Sequence, residues 1–332
     1  MSATFNALVL DRNEDKSIRA AIKPLSLAEL PDEDVLVDVA YSTLNYKDGL
    51  AVTGSSPIAR KFPMVGGIDL AGVVAESRDG RFKPGDRVLV NGYGLSERFW
   101  GGYSQRQKLK ADWLVRVPDA FSLEEAMAIG TAGYTAMLCV QAIRDWGIKP
   151  DAGPVVVTGA AGGVGTVAIM LLAKLGYQVC AATGRVEEAR PLLERLGAGE
   201  LIARSELARD PAALETERWA AAVDTVGANT LASVIAQTRY EGLVAACGLA
   251  GGAGLPTTVM PFILRGVTLR GIDSVMAALP RRQRAWDELA QLVDRELLRA
   301  IYRVEPLARV PELAKAILAG QVQGRVVIDV NA

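Results

Sequence analysis

The hydrophobic pattern divides the chain into two regions with different periods. Between about residues 5 and 120, short apolar runs at 7–10, 35–39 and 87–90 are separated by turn residues, which predicts a β-rich domain. From about residue 122 onward, short apolar runs alternate with longer segments of helical period. That alternation predicts strands connected by helices and therefore a mostly parallel sheet. The sequence thus indicates an α/β protein whose last apolar run, 325–330, is expected to return as a strand to the first region.

A glycine-rich turn lies at the start of the second region. Three valines at 155–157 predict a buried strand, because a strand covered on both faces is apolar throughout. Gly159, Gly162 and Gly165 follow, and a helix is predicted over 164–175. Glycines allow a sharp turn and a close backbone approach, and a helix N-terminus attracts a pyrophosphate. The segment therefore predicts a dinucleotide site with a variant of the commonest glycine spacing.

The residues after the next predicted strand, 177–182, bear on which dinucleotide is bound. An NAD site usually has an acidic residue there, which binds the ribose 2′-hydroxyl. This chain has Thr183, Gly184 and Arg185 instead. Arg185 is suited to pair with a 2′-phosphate and Thr183 to donate a hydrogen bond to it, so we expect NADPH. The alternative is that Arg185 is only a solvated residue at the start of a helix.

Composition narrows the function classes. The chain has 332 residues, half of them hydrophobic, and a formal net charge of −1. A charge this close to zero produces no field that would attract nucleic acid or an anionic membrane. The first six residues lack a basic stretch followed by an apolar run, so we expect a cytoplasmic protein. The apolar segment 126–143 contains Gly130, Thr131 and Gln141, and we expect a buried helix there, not a membrane span.

The chain contains no histidine. This excludes Ser-His-Asp triads, histidine general bases and histidine-ligated metals. Cys139, Cys180 and Cys247 each lie in an apolar run, so we expect buried, reduced thiols. Their spacing does not match a zinc site, and we therefore expect no bound metal.

Five motifs together resemble the acrylyl-coenzyme A reductase family. This is a quinone-oxidoreductase-like family in the zinc-free branch of the medium-chain dehydrogenase/reductase superfamily. The motifs are Leu44-Asn45-Tyr46-Lys47-Asp48 and the segments 130–137, 158–165, 245–252 and 255–265.

The resemblance extends over nearly the whole chain and has implications for both fold and activity. It implies a GroES-like β-rich catalytic domain, residues 1–122 with 300–332, and a Rossmann NADPH-binding domain, residues 123–299. It also implies NADPH-dependent reduction of the double bond of acrylyl-CoA, a small-molecule CoA thioester, to propionyl-CoA without metal. By analogy with the superfamily, we expect a homodimer that pairs through the sheet edge at 267–272.

The resemblance also assigns site residues. Hydride addition to an acrylyl thioester creates an enolate, and without metal its oxygen must be stabilised by hydrogen-bond donors or by the cofactor. The catalytic candidates are Asn45, Tyr46 and Asp48. The cofactor-binding candidates are Tyr46, Ala161, Gly162, Gly163, Val164, Gly165, Thr183, Gly184, Arg185, Arg204, Leu249, Ile263, Ser274 and Gln323.

Several of these residues have a purely structural alternative. Asn45 and Asp48 have the spacing of a helix cap. Thr131 either faces the cofactor or packs within a helix. The arginine-rich start of a predicted helix at 281–284 is expected to be a solvated face.

Two other functions fit the same sequence. A zinc-free quinone or enal reductase would use the same hydride chemistry, but it would need neither room nor charge for coenzyme A. A non-catalytic NADPH-binding protein would bind the cofactor without turnover. Substrate preference therefore separates the three hypotheses.

Overall fold

The computed structural model describes residues 4–332, so the first three residues of the predicted N-terminal domain lie outside the described residues. The predicted α/β class is confirmed. Within the described residues the strands are β1 (Thr4–Arg12), β2 (Ile18–Ser26), β3 (Val35–Leu44), β4 (Met64–Val65), β5 (Asp69–Ser77), β6 (Arg87–Asn91), β7 (Arg106–Leu109), β8 (Val115–Arg116), β9 (Val155–Thr158), β10 (Val179–Thr183), β11 (Ala198–Ala203), β12 (Trp219–Asp224), β13 (Thr238–Ala246), β14 (Thr268–Gly271), β15 (Tyr302–Pro306) and β16 (Arg325–Asp329).

The helices connect the strands mainly in the second half of the chain. Over residues 4–332 they are α1 (Tyr46–Thr53), α2 (Leu123–Trp146), α3 (Gly163–Lys174), α4 (Val186–Arg195), α5 (Ala228–Gln237), α6 (Met260–Arg265), α7 (Leu279–Leu292), α8 (Arg295–Ile301) and α9 (Val310–Leu318).

The first compact unit runs to Thr131 and adds Ser274–Ala290 and Tyr302–Ala332. It contains a three-stranded sheet in the order β2-β1-β4 and a seven-stranded sheet. The larger sheet has the order β15-β16-β3-β5-β6-β8, with β7 also paired to β3. Strand β16 runs antiparallel to β3, with Val327 opposite Thr43, so the expected return of the last strand to the first region is confirmed.

The second compact unit comprises Ala132–Asp273 and Gln291–Ile301. Its six parallel strands have the order β11-β10-β9-β12-β13-β14. Counted from β9, this is the 3-2-1-4-5-6 order of the Rossmann fold, and the predicted Rossmann-type sheet is confirmed. The strand order reverses between β9 and β12, so the ligand crevice of such a sheet is expected at the carboxyl ends of these two strands. The domain boundaries predicted from the sequence, 1–122 with 300–332 and 123–299, stay predictions.

Close packing of α3 against the preceding turn explains one of the glycines. Strand β9 is fully buried, and eight residues of α3 are buried. A Cβ added at Gly165 would lie 2.5 Å from the carbonyl oxygen of Gly159 and 2.7 Å from the Cα of Ala160. Real Cβ atoms do not come this close to backbone atoms, so only glycine fits at this contact.

The long apolar helix α2 is buried, as the sequence predicts. By length and composition it is the one helix among residues 4–332 that is long and apolar enough to cross a membrane, but 94% of its most apolar window is buried inside the protein. Gly130 interrupts its helical geometry with a φ of 50°. An added Cβ there would lie 2.7 Å from Nη2 of Arg325, so the interruption makes room for a buried guanidinium.

Two expectations about burial are wrong. Arg282, expected on a solvated helix face, is only 1% exposed. Its guanidinium donates to the carbonyl oxygens of Asn91, Ser274, Val275 and Ala277, so backbone carbonyls take the place of water around the buried charge. Cys139 and Cys180 are buried as expected, but Cys247 is partly exposed.

The Gly165 contact gives a stability prediction. Alanine normally favours a helix over glycine by about 1 kcal/mol, whereas forced overpacking costs about 1–3 kcal/mol. The added Cβ would meet backbone atoms that cannot rotate away, so the overpacking cost is expected in the upper part of this range. After subtraction of the helix gain, Gly165→Ala should lower the free energy of unfolding by about 1–2 kcal/mol, measured by urea unfolding. Gly80→Ala is the control, because an added Cβ there meets nothing within 4 Å. A Gly165→Ala protein as stable as the wild type would contradict the packing argument.

Candidate cofactor and active site

The glycine turn, residues 159–165, presents backbone at the carboxyl end of β9. Gly159 has a φ of 59°, in the left-handed region that favours glycine. Gly162 is the N-cap of α3, and no side chain among the described residues caps it. The first N–H groups of α3 are therefore suited to an anion such as a pyrophosphate.

The residues of the glycine turn differ in how far they are buried. Gly162, Gly163 and Val164 are partly exposed, so their backbone is within reach of a ligand. Ala161 and Gly165 are buried. Gly165 contributes to the site by allowing α3 to pack against the turn.

The predicted 2′-phosphate residues lie together. Strands β10 and β11 are neighbours and end at Thr183 and Ala203, which are opposite each other. A Cβ added at Gly184 would lie 3.2 Å from Cζ of Arg204, so this guanidinium lies over Gly184. The backbone N–H of Arg185 donates to Oγ1 of Thr183 at 3.3 Å. Residues from two loops thus form one basic surface.

The two arginines of this surface differ in their partners. Arg185 is 3.6 Å from a carboxylate oxygen of Glu188, in a pair that is more than one-third exposed. Arg204 is exposed and forms no ion pair among residues 4–332. Such exposed pairs are weak, so both guanidinium groups are available to bind an added phosphate.

The four residues predicted near the nicotinamide lie on separate segments. Leu249 follows β13 and is 60% exposed, and Ile263 lies on α6 and is 72% exposed. Both side chains are therefore accessible to a ligand. Ser274 and Gln323 belong to the first unit and are partly exposed. Their predicted roles stay predictions.

In the first unit, four side chains form a buried polar cluster: Asn45, Asp48, Asp69 and Arg325. The Nδ2 of Asn45 donates to Asp48 at 3.1 Å and to Asp69 at 2.9 Å. The Nη1 of Arg325 donates to Oδ1 of Asn45 at 3.3 Å, and its Nη2 donates to Oγ1 of Thr43 at 2.6 Å. The Asn45 side-chain amide is thus fully engaged within the protein.

The helix-cap alternative for Asn45 and Asp48 is present in the structure. The backbone N–H of Asn45 donates to Oδ2 of Asp48 at 2.9 Å, at the start of α1. Asn45 is 7% exposed and Asp48 is fully buried, whereas Tyr46 is 39% exposed. Tyr46 is therefore the catalytic candidate that a ligand can reach directly. The catalytic roles of all three residues stay predictions.

Sequence reasoning missed part of the cluster. Asp69 accepts hydrogen bonds from Nδ2 of Asn91 and from the N–H and hydroxyl of Thr131. These bonds place Thr131 in internal packing, the structural alternative considered for it. The sequence did contain a signal for the cluster, because Asp69 in β5 and Arg325 in β16 are charged residues that begin apolar strands. Charged side chains that are buried need partners, so these two positions indicated a buried polar cluster.

The cluster has two carboxylates and one guanidinium. Burial, together with the negative charge of Asp69, raises the pKa of Asp48 to about 7, although hydrogen bonds from Asn45 and Ile68 act in the opposite direction. Burial lowers the pKa of Arg325, against the attraction of Asp69 and Asp48. Burial also holds the pKa of Tyr103 well above its usual value. Within this cluster, Asp48 is therefore the group whose pKa lies near neutral pH.

The predicted absence of zinc concerns the arrangement of possible metal ligands. Within residues 4–332, no group of three or more histidine, cysteine, aspartate or glutamate residues is arranged to hold a metal ion. The predicted absence of zinc stays a prediction.

The pKa of Asp48 gives a pH-dependent stability prediction. Because the folded state binds this proton more tightly than the unfolded chain, the free energy of unfolding falls as the pH rises from about 4 to about 7. In Asp48→Asn this contribution is absent. The loss of unfolding free energy between pH 5 and pH 7.5 should therefore be smaller by about 2–3 kcal/mol, measured by urea unfolding at both pH values.

Asp119→Asn is the control for this experiment, since the Asp119 side chain is fully exposed. It should leave the pH dependence unchanged. An Asp48→Asn protein with the same pH dependence as the wild type would refute a proton bound at Asp48.

Comparison with known proteins agrees with this architecture. Residues 31–119 match the family described as alcohol dehydrogenase GroES-like domain, and residues 163–295 match the family described as zinc-binding dehydrogenase. The first match lies in the β-rich unit, and the second begins within the glycine turn and continues beyond β14.

Full-length relatives narrow the family. The chain is 53% identical to the acrylyl-CoA reductase AcuI of Ruegeria pomeroyi, over 99% of this chain and 100% of the relative. It is 49% identical to Escherichia coli K-12 YhdH solved with bound NADPH, at a TM-score of 0.95 over 98% of this chain and 100% of that one. It is 42% identical to Bacillus subtilis YhfP solved with NAD, at a TM-score of 0.94 over 99% and 100%. The chain belongs to the acrylyl-CoA reductase family of the medium-chain dehydrogenase/reductase superfamily.

Proposed function

We propose that this protein is an NADPH-dependent reductase that converts acrylyl-CoA to propionyl-CoA. The observation that carries the proposal is the carboxyl edge of the parallel sheet. There, the glycine turn and the basic surface at Arg185 and Arg204 present backbone amides and two guanidinium groups. Oxidoreductase activity follows from the family, and a relative that is 53% identical is named an acrylyl-CoA reductase.

NADPH fits the residues that this edge provides. The cofactor supplies a hydride to the β-carbon of the substrate double bond. Gly163 and Val164 would bind the pyrophosphate through accessible backbone at the start of α3. Gly162, whose own N–H donates to the carbonyl oxygen of Gly159 at 2.9 Å, would let the pyrophosphate approach closely because it has no side chain. Arg185 and Arg204 would hold the 2′-phosphate, with Gly184 leaving space for the Arg204 guanidinium. Because relatives have been solved with NADPH and with NAD, these arginines are what favours NADPH in this chain.

The remaining chemistry falls to polar groups of the first unit. Tyr46 lies at the first position of α1 and is 39% exposed, which suits it to contact cofactor or substrate. Asn45 and Asp48 would act by holding the start of α1, because their polar atoms bind within the buried polar cluster. The carboxyl of Asp48 holds a proton near neutral pH. This division of roles assigns contact to Tyr46 and positioning to the cluster.

The homodimer and the cytoplasmic location predicted from the sequence remain proposals. Strand β14 is an edge strand of the six-stranded sheet. An unpaired strand edge is suited to pairing with a second copy. Val259, Ile263 and Leu264 are large apolar side chains that are more than half exposed. Their exposure supports a second copy of the chain packing against this unit.

The cofactor assignment predicts the effect of removing one guanidinium. In Arg185→Ala, the Kd for NADPH should rise about 10- to 100-fold, the effect of losing a charge-assisted phosphate contact, while the Kd for NADH changes little. Both constants are measured by fluorescence titration. Arg190→Ala is the matched control, because Arg190 lies on the same helix and pairs with Glu187 and Glu194. An equal loss for both cofactors would contradict a 2′-phosphate role.

The substrate assignment is tested by NADPH oxidation, followed by absorbance, with acrylyl-CoA and a simple quinone in parallel. We expect kcat/KM to favour the thioester by about 100-fold or more. A preference for the quinone would replace the proposal with a quinone reductase. Tight NADPH binding with no turnover of either substrate would indicate a non-catalytic binding protein.

A further inference from the structure

Three loops follow neighbouring strands of the parallel sheet and interlock at its carboxyl edge. The glycine turn follows β9, residues 225–227 follow β12, and residues 247–252 follow β13. The middle segment, Thr225, Val226 and Gly227, is called the spacer loop below. It lies between the turn predicted to bind the pyrophosphate and the loop that carries Leu249.

On one side, the spacer loop is joined to the end of β9. The hydroxyl of Thr225 donates to the Thr158 carbonyl at 2.9 Å, and the backbone N–H of Thr225 donates to Oγ1 of Thr158 at 3.0 Å. A Cβ added at Gly159 would overlap Oγ1 of Thr225. The spacer loop and the glycine turn are thus in contact without free space between them.

On the other side, the spacer loop contacts the loop after β13. The backbone N–H of Gly251 donates to the carbonyl of Val226 at 2.8 Å. A Cβ added at Gly248 would overlap the carbonyl oxygen of Thr225. This side also lacks room for a side chain, so a displacement of either loop must move the other.

Asp224, the last residue of β12, holds the spacer loop in place through its side chain. Its side chain is fully buried, and it accepts a hydrogen bond from the hydroxyl of Thr158 at 2.7 Å and another from the backbone N–H of Gly227 at 2.8 Å. One carboxylate therefore joins the end of β9 to Gly227, the last residue of the spacer loop. Hydrogen bonds to a buried carboxylate are strong because the alternative is an unpaired buried charge.

We propose that the spacer loop couples the two halves of the cofactor site, with Thr158 and Asp224 as its positioning residues. The loop sets the separation between the glycine turn and the segment that carries Leu249. Neither Thr158 nor Asp224 needs to touch the cofactor for this role. The inference rests on the proposed function, because it uses the assignment of these two loops to the pyrophosphate and nicotinamide ends of NADPH.

The first experiment displaces the loop after β13, which contacts one side of the spacer loop. It then measures ligand binding at the glycine turn, on the other side of the spacer loop. The variant is Gly248→Ala, and the probe is 2′-phospho-ADP-ribose, which has the pyrophosphate and 2′-phosphate but no nicotinamide. We expect the Kd of the probe, measured by titration calorimetry, to rise about tenfold, the equivalent of about one lost hydrogen bond. Gly254→Ala, two residues beyond this loop, is the control, because an added Cβ there meets nothing within 4 Å.

The second experiment tests the same coupling between the two loops, and it remains informative if Gly248→Ala does not fold. Thr158→Val removes the hydroxyl that Asp224 and Thr225 share, whereas Thr158→Ser keeps it. We expect Thr158→Val to weaken the probe and NADPH by a similar factor of about ten, and Thr158→Ser to bind both as the wild type does. A protein with a merely structural Thr158 would lose thermal stability without this matched loss of affinity.

The outcomes separate this inference from the proposed function. Wild-type probe affinity in folded Gly248→Ala, or in Thr158→Val, overturns the coupling. Failure of the wild-type protein to bind the probe refutes the cofactor assignment itself. Absence of acrylyl-CoA turnover refutes the substrate assignment and leaves the probe measurements valid.

Discussion

At the carboxyl edge of the parallel sheet, three loops meet at distances that leave no room for a Cβ. This exclusion of side chains determines what the edge can do. At the start of α3 it leaves the backbone of Gly163 accessible. In the loop after β10, the same absence of a side chain lets the Arg204 guanidinium lie over Gly184. Anion recognition here thus depends first on missing side chains and only then on charged ones.

The first unit, in contrast, buries charged side chains. Asp48 and Asp69 share the donors of Asn45 and the positive charge of Arg325 nearby. Removing water from such groups costs free energy unless hydrogen-bond donors and an opposite charge replace it. The cluster meets that condition by drawing on side chains and backbone together, and it thereby fixes the start of α1, where Tyr46 is exposed.

The sequence predicted those features that a short segment encodes. The buried strand β9, the glycine turn and the helix after it follow from residues 155–175 alone, and the basic residue Arg185 follows from the predicted strand at 177–182 that precedes it. The buried polar cluster was not predicted because its members come from three distant segments, at residues 45–48, 69 and 325. Arg282 was misjudged for the same reason, since the carbonyls that bind its guanidinium lie near residues 91 and 275. Local patterns report periodicity but not which buried charge finds which partner.

The return of strand β16 to β3 also affects the order in which the protein is made. Asp48 and Asp69 precede Arg325 by more than 250 residues, so they leave the ribosome long before it. Until that arginine emerges, the two aspartates lack their buried counter-charge and are better left in water. The first unit to be synthesised is therefore the last to be completed, and its nascent form must remain open while the parallel sheet folds.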